Sequence, residues 1–255
     1  MTGTEVYVLL VVFAATLLRS TFGFGEALFA VPLLALRIPV AVAAPLAVLV
    51  SITIAAVVIA QDYRSVHLRS AGWLLGATLF GVPLGLLLLA DGQERFLKRA
   101  LAFVILAFAL YFLSGQRPSA IKSESRAWLF ACGFLAGVFG GAFGMNGPPL
   151  VVYGAMRRWT PQQFRATLQG YFLPASTVGM AGYAATGMWT SAVTHFYVLS
   201  LAGVILATLL GRWLNRRLQG DVFMRYVYGG LAIVGAVLLA QSFRIPAHFF
   251  CCAAR

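Results

Sequence analysis

A chain of 255 residues that is 61% hydrophobic and only 10% charged departs from a soluble domain, where about 45–50% apolar and about 25% charged residues are usual. The net charge of +12 sits mostly in short gaps between apolar runs, the pattern of the positive-inside rule. With no basic stripe or tail, nucleic acid is set aside as a partner, and a lipid bilayer is left as the principal environment.

The first apolar run, Val6–Leu36, is interrupted by Arg19 and Glu26. Glu5 precedes it and no Lys or Arg does, so it lacks the charged start of a cleavable signal peptide and is expected to remain as the first membrane element. Ile38–Ala60, Ser70–Ala90 and Ala100–Ser114 follow. The gap from Gly115 to Arg126, with Gln116, Arg117, Pro118, Lys122 and Glu124, is the longest polar stretch between apolar runs. It reads as a linker (115–126) between a first repeat, 1–114, and a second, 127–243, with a tail over 244–255. The second repeat holds Ala127–Met156, Ala166–Thr190, Ser191–Gly211 and Tyr226–Phe243. Several of these runs reach the roughly 20 residues a helix needs to cross about 30 Å of hydrocarbon.

The two halves can be laid on each other, and internal repetition decides architecture more than any single motif. FGFGEALFAVP (Phe22–Pro32) falls on FGMNGPPLVVY (Phe143–Tyr153), and Glu94–Leu113 falls on Asp221–Ala240. Val6–Leu36 and Ala127–Met156 are each about 30 residues, which as one helix would measure about 45 Å. That is too long for one straight span and too short for two. Both carry breakers near the centre, Gly23 and Gly25 in one and the Gly140–Pro149 cluster in the other, where glycine tolerates unusual dihedrals and proline lacks an N–H. A broken or re-entrant helix is predicted in each; such backbone is tolerated at membrane depth only where it is buried in protein or lines a cavity.

The predicted fold class is therefore all-α: a polytopic membrane protein of two related four-segment halves, each beginning with a broken or re-entrant helix. If the broken segments turn back, the halves are inverted repeats; if they cross, the halves are parallel. Loop charge does not separate the two schemes, because both place the gaps Arg157–Arg165 and Arg212–Arg225 on one side and the uncharged gap Gly187–Ser191 on the other. Inversion is the expectation.

Broken helices in corresponding positions of two halves point to a transport site near the midplane. Their N-termini present unpaired N–H groups and the positive end of the helix dipole, which attract anions. Asn146 suits an N-cap, with Pro148 and Pro149 in the first turn. Gly23 and Gly25 allow close backbone approach, and the next helix should begin near Glu26. Arg19 and Glu26 are the only charges within these segments, and an intramembrane charge is expensive unless paired or facing a polar cavity. Arg19 could hold an anion through its planar guanidinium, while Glu26 balances it or exchanges a proton. The alternative has Arg19 snorkelling to an interface and Glu26 merely stabilising a helix N-terminus.

Ser51, Thr53, Thr167, Ser176 and Thr177 are read chiefly as hydroxyls that bond their own backbone or pack between helices. Gln169 is more costly to bury and ranks above them; His195, near a helix start, reads as interfacial. Cys132, Cys251 and Cys252 imply no disulfide framework, and His248 beside the last two is taken as an incidental tail. No HExxH, carboxylate cluster or Ser–His–Asp set stands out, so neither an enzyme nor a cofactor or metal is expected.

The segments FGFGEALFAVPLLAL (Phe22–Leu36) and GFLAGVFGGAFGMNGPPLVVYGAMRRWTPQQFRATLQGYF (Gly133–Phe172), with the paired halves, resemble the sulfite exporter TauE/SafE family of anion permeases, from Val6 to about Gln241. The resemblance implies a secondary transporter of sulfite or another small sulfur oxyanion or organosulfonate in a bacterial cytoplasmic (inner) membrane. It carries Gly23, Gly25, Gly144, Asn146, Gly147, Pro148, Pro149, Arg165, Ala166 and Thr167 into the picture. The first half departs from the pattern, with Glu26 and Ala27 where glycines would be expected. The expected mechanism is alternating access, the anion held at the helix N-termini by Arg19, Gly23, Gly25, Glu26, Gly144, Asn146, Gly147, Pro148, Thr167 and Gln169. A coupling proton or sodium ion and a homo-oligomer are compatible with it. An anion channel, or a structural or assembly protein without transport activity, is the alternative.

Overall fold

The computed structural model describes residues 2–22, 25–62, 68–114, 126–157 and 161–215, with residues 232, 235–237, 239 and 240 beyond them. All regular structure among them is helical: α1 (Gly3–Phe22), α2 (Glu26–Leu34), α3 (Val40–Asp62), α4 (Leu68–Asp91), α5 (Glu94–Leu113), α6 (Arg126–Phe143), α7 (Gly147–Met156), α8 (Pro161–Ala185) and α9 (Ser191–Asn215). The linker, the tail with His248, Cys251 and Cys252, and most of the last apolar run lie outside the described residues, and with that run the counterpart of Glu94–Leu113.

Among the described residues, four segments are long and apolar enough to cross a membrane: Gly3–Thr21, Val40–Ala60, Gly72–Asp91 and Ser191–Leu214. The molecule is an all-α polytopic membrane protein. Its outward faces carry large apolar side chains, among them Leu10, Phe80, Leu87, Phe103, Val198 and Leu206, as a surface solvated by lipid tails requires and one solvated by water does not. α8 begins at Pro161, ahead of the apolar run read from Ala166, because Gln162, Gln163 and Arg165 are good helix formers and a polar composition does not end a helix.

Both long runs break where glycine permits it. Between α1 and α2, Gly25 takes a left-handed φ of 97°, a conformation L side chains rarely adopt. The chain then folds back: the Tyr7 hydroxyl, near the start of α1, donates to the carbonyl of Leu33, near the end of α2, at 2.7 Å. The Arg37 guanidinium lies over the same Tyr7 ring at 4.9 Å. Between α6 and α7, Gly144 takes φ 67° and closes the helix end, with its N–H donating to Gly140 O at 2.9 Å and that of Met145 to Phe139 O at 3.1 Å. Leu150 and Tyr153 of α7 then share a buried core with Cys132 and Ala136 of α6.

Lipid tails are as apolar as leucine, so helices in a membrane gain stability from close packing rather than from leaving the solvent, and small residues let backbones approach. α4 and α6 meet along such a seam. A Cβ placed on Gly137 would lie 2.9 Å from Gly81 Cα and 3.0 Å from Val82 N; one on Gly85 would lie 2.9 Å from Gly141 Cα. α1 packs against α9 in a similar way, Gly211 resting on Ser20 and Leu17. α3 passes between these pairs, against α2, α8 and α9. The two helix pairs thus each join an element from before the linker to one from after it.

Candidate functional site

The two interrupted helices bring their breaks to one place. A buried cavity of about 30 Å³ is lined by Arg19 near the end of α1, by Gly25 and the first residues of α2, and by Gly144–Pro148 at the second break. Ser51 from the middle of α3, Phe108 of α5, and Phe172 and Ser176 of α8 close its sides. Water needs about 10–15 Å³ of such volume per molecule, so the cavity has room for about two waters.

Arg19 and Glu26 are 3% and 2% exposed. One guanidinium nitrogen, Nη1, serves both partners: it donates to Glu26 Oε2 at 2.6 Å and to Ser51 Oγ at 2.5 Å. Ser176 Oγ in turn donates to Ser51 Oγ at 3.3 Å, and the Arg19 Cζ stands 4.8 Å from the centre of the Phe172 ring. The snorkelling alternative is therefore corrected: Arg19 lies deep, beside a carboxylate and an aromatic face, because Gly25 and the turn at the break bring Glu26 back to it. Breaking such a buried pair by removing one partner costs about 3–5 kcal/mol, yet replacing both by apolar groups is often neutral. The pair is thus poorly explained by stability alone.

What it leaves open is informative. Arg19 Nε and Nη2 and Glu26 Oε1 have no hydrogen-bond partner among the described residues, although buried polar atoms are nearly always satisfied. A guanidinium offers five N–H donors in a planar fork suited to two oxygens of one oxyanion, and here one nitrogen of three is engaged.

The helix ends add to this. α2 opens at Glu26 and α7 at Gly147, and each contributes its positive pole, equivalent to roughly half an elementary charge, to the same cavity. Pro148 and Pro149 sit in the first turn of α7, where their missing N–H groups are not needed for helix bonds. They leave Gly147 as the N–H donor opening that helix.

Asn146 precedes α7 and is buried; its position depends on Gly140. A Cβ on Gly140 would overlap Asn146 Oδ1 and lie 2.8 Å from Cγ. The obstacle is the far end of a side chain and not backbone, so Gly140→Ala is expected to fold normally while swinging the Asn146 amide away. Anion affinity should fall by about three- to tenfold, the worth of roughly one hydrogen bond. Ligand-induced thermal stabilisation measures this against an unchanged melting point of the free protein. Tyr183, whose hydroxyl reaches Gly141 O at 2.8 Å and Gly140 O at 3.0 Å, holds the carbonyls just ahead of the break. Tyr171 braces α8 through Thr78 Oγ1 at 2.7 Å, which itself lies 2.9 Å from Gly133 O.

Of the residues singled out in the sequence, Arg19, Gly25, Glu26, Gly144, Asn146, Gly147 and Pro148 meet at the cavity. Gly23 lies outside the described residues, as do the side chains of Arg165, Ala166 and Gln169. Thr167 is buried on α8 but does not line the cavity. Thr53 bonds Tyr197 at 2.7 Å and Thr177 its own helix at Leu173 O, while His195 is exposed and 3.1 Å from Glu5. Ser51 and Ser176 were read as packing hydroxyls and are in fact neighbours of the cavity. Phe172, Phe108 and Met145 join them, and an apolar side chain in an apolar run gives no sign of what it faces.

The family model described as sulfite exporter TauE/SafE matches residues 8–238. A protein of Cupriavidus necator named "Probable sulfite/organosulfonate exporter TauE" is 29% identical to this chain over 181 residues, 71% of this chain and 70% of that protein. No solved structure is matched.

Proposed function

We propose that this chain, which belongs to the sulfite exporter TauE/SafE family, is a secondary transporter that carries a small sulfur oxyanion or organosulfonate across a bacterial cytoplasmic membrane. The observation that carries this reading is the convergence of two helix N-termini and the open fork of a buried arginine on one cavity. The substrate class is supported by the family and by the printed name of the Cupriavidus necator protein.

Alternating access is the mechanism that suits this arrangement. Repeats over 1–114 and 127–243 are supported by the way the helix pairs exchange, and their inversion by the fold-back of α2 along α1. If α1 and α4 correspond to α6 and α9, the pairing of α1 with α9 becomes that of α6 with α4, and both occur. A two-fold relation produces that exchange.

The test is a panel of sulfite, thiosulfate, sulfate, sulfoacetate, taurine, acetate and chloride against the purified protein. A ligand bound only by the folded state stabilises it by about 2.7 kcal/mol at a hundredfold excess over its dissociation constant. A saturable melting shift with a sulfur oxyanion or sulfonate, accompanied by counterflow of that anion in proteoliposomes, is the expected result. Folded protein that responds to none of the panel would remove the assigned substrate class; flux without counterflow would identify a channel.

A further inference from the structure

The proposed transport reading leaves open why a binding site for an anion should contain a carboxylate. Glu26 occupies the first position of α2, where the helix dipole favours a negative charge, and its Oε2 takes the Arg19 Nη1 hydrogen bond. It therefore stands on two of the three attractive features that an incoming anion would use, the N-terminus of α2 and the Arg19 fork. Its other oxygen, Oε1, is buried and without a partner among the described residues, as are Nε and Nη2 of Arg19.

We infer that Glu26 is the counter-ion the substrate displaces, so that each anion is bound together with one proton taken up by the Glu26 carboxyl. The inference rests on the transport reading and extends it to the coupling ion. Its basis is charge balance in a confined space. Before binding, the site holds one positive and one negative charge. Adding a monovalent anion would place two negative charges beside a single guanidinium in a cavity of about 30 Å³, and a like charge at such range disfavours ionisation of a carboxyl group.

The helix poles attract the anion but cannot change their charge, and no other described side chain at the cavity is placed to take up the proton. The neighbours that face the cavity are Ser51 from α3, Phe108 from α5, Met145 and Asn146 ahead of α7, and Phe172 and Ser176 from α8. None of them titrates in the neutral range, which leaves Arg19 and Glu26 as the charged pair. An arginine is not deprotonated in proteins, so the carboxylate is the group that changes state.

In the exchange, the hydrogen bond from Arg19 Nη1 to Glu26 Oε2 breaks, the guanidinium turns its donors to the anion, and one proton from water ends on a Glu26 oxygen. With a monovalent anion the side-chain and ligand charges sum to zero before and after. A monovalent anion with its proton thus moves no net charge, whereas a divalent anion with one proton moves a single negative charge.

Methanesulfonate and thiosulfate test this, because both stay fully ionised around neutral pH and any proton taken up belongs to the protein. Calorimetric titration of the full chain in detergent, repeated in two buffers of different ionisation enthalpy, gives the proton count per anion bound. Where Glu26 is ionised in the free protein, wild type should take up close to one proton, and affinity should fall by about tenfold for each unit of rising pH. Glu26→Gln should bind the same anions with neither proton uptake nor that pH dependence. Wild-type binding with no proton uptake at any pH where the protein stays folded overturns the coupling while leaving the anion site intact. That measurement requires no variant, so a misfolded Glu26→Gln would not rescue the idea. Uptake that persists in folded Glu26→Gln overturns it as well. Failure of wild type to bind either anion removes the anion site itself, and the coupling with it.

Discussion

Arg19→Ala is expected to weaken anion binding by about a hundredfold or more and to abolish measurable counterflow. A hydrogen bond to a charged group contributes about 1.5–3 kcal/mol, and the two donors left open by the Glu26 contact, Nε and Nη2, are both lost. The substitution should also lower the melting point of the unliganded protein, because it strands the buried Glu26 carboxylate, a change that costs about 3–5 kcal/mol when a buried pair is broken from one side. Two companions separate these effects. Arg19→Lys keeps the charge but replaces the planar fork by a point charge, and should retain more of the stability than of the affinity. The double variant Arg19→Ala with Glu26→Gln removes the stranded charge and should regain stability without regaining binding. If the double variant bound sulfonates as tightly as wild type, Arg19 would be a structural residue and the site would lie elsewhere.

The second large effect is expected at the seam between α4 and α6. Gly137→Val should lower stability by about 3 kcal/mol or more, at the upper end of what overpacking does in a well-packed core, and should be seen as loss of monodisperse protein in detergent. The three atoms nearest a Cβ there are all backbone, namely Thr78 O, Gly81 Cα and Val82 N, so relief requires the two helices to part. Gly76 on the same α4 is the control. No atom lies within 4 Å of a Cβ built on it, and Gly76→Ala should leave stability unchanged or raise it by up to about 1 kcal/mol, the helix preference of alanine over glycine. Equal losses at both positions would show that α4 responds to glycine replacement in general and not to contact with α6.

Which parts of this site could be read from the chain follows from what each residue type signals locally. The breaks were legible because glycine and proline act on their own backbone: Gly25 and Gly144 do take left-handed dihedrals, and the run from Gly147 to Met156 is a separate helix. Arg19 and Glu26 were legible because a charge in an apolar run demands a partner, and the candidates in that run were each other. Ser51 was not. A serine within α3 satisfies its hydroxyl equally well against its own helix, and nothing in its neighbourhood along the chain encodes that it lies at the depth of Arg19. Phe172 was equally silent, since cation–π contact depends on a ring's orientation across a helix interface. The α4–α6 seam stood in plain view as glycines at spacings of four, Gly81 and Gly85 against Gly133, Gly137 and Gly141, but spacing names a face without naming the face it meets.

The pairing of α1 with α9 has a consequence for how the protein is made. A chain leaving the ribosome delivers α1 ahead of α2–α8 and α9 only after them, so α1 waits through the synthesis of seven helices to find its mate. Early in that interval Arg19 belongs to a helix in lipid whose neighbours Ser51, on α3, and Phe172, on α8, have yet to arrive, and such an exposed intermediate is the kind that aggregates or is degraded. Glu26, seven residues along the same segment, is the first of its partners to emerge. The pair can thus neutralise itself within the first hairpin, which makes it an early-assembly device as well as a resident of the finished cavity.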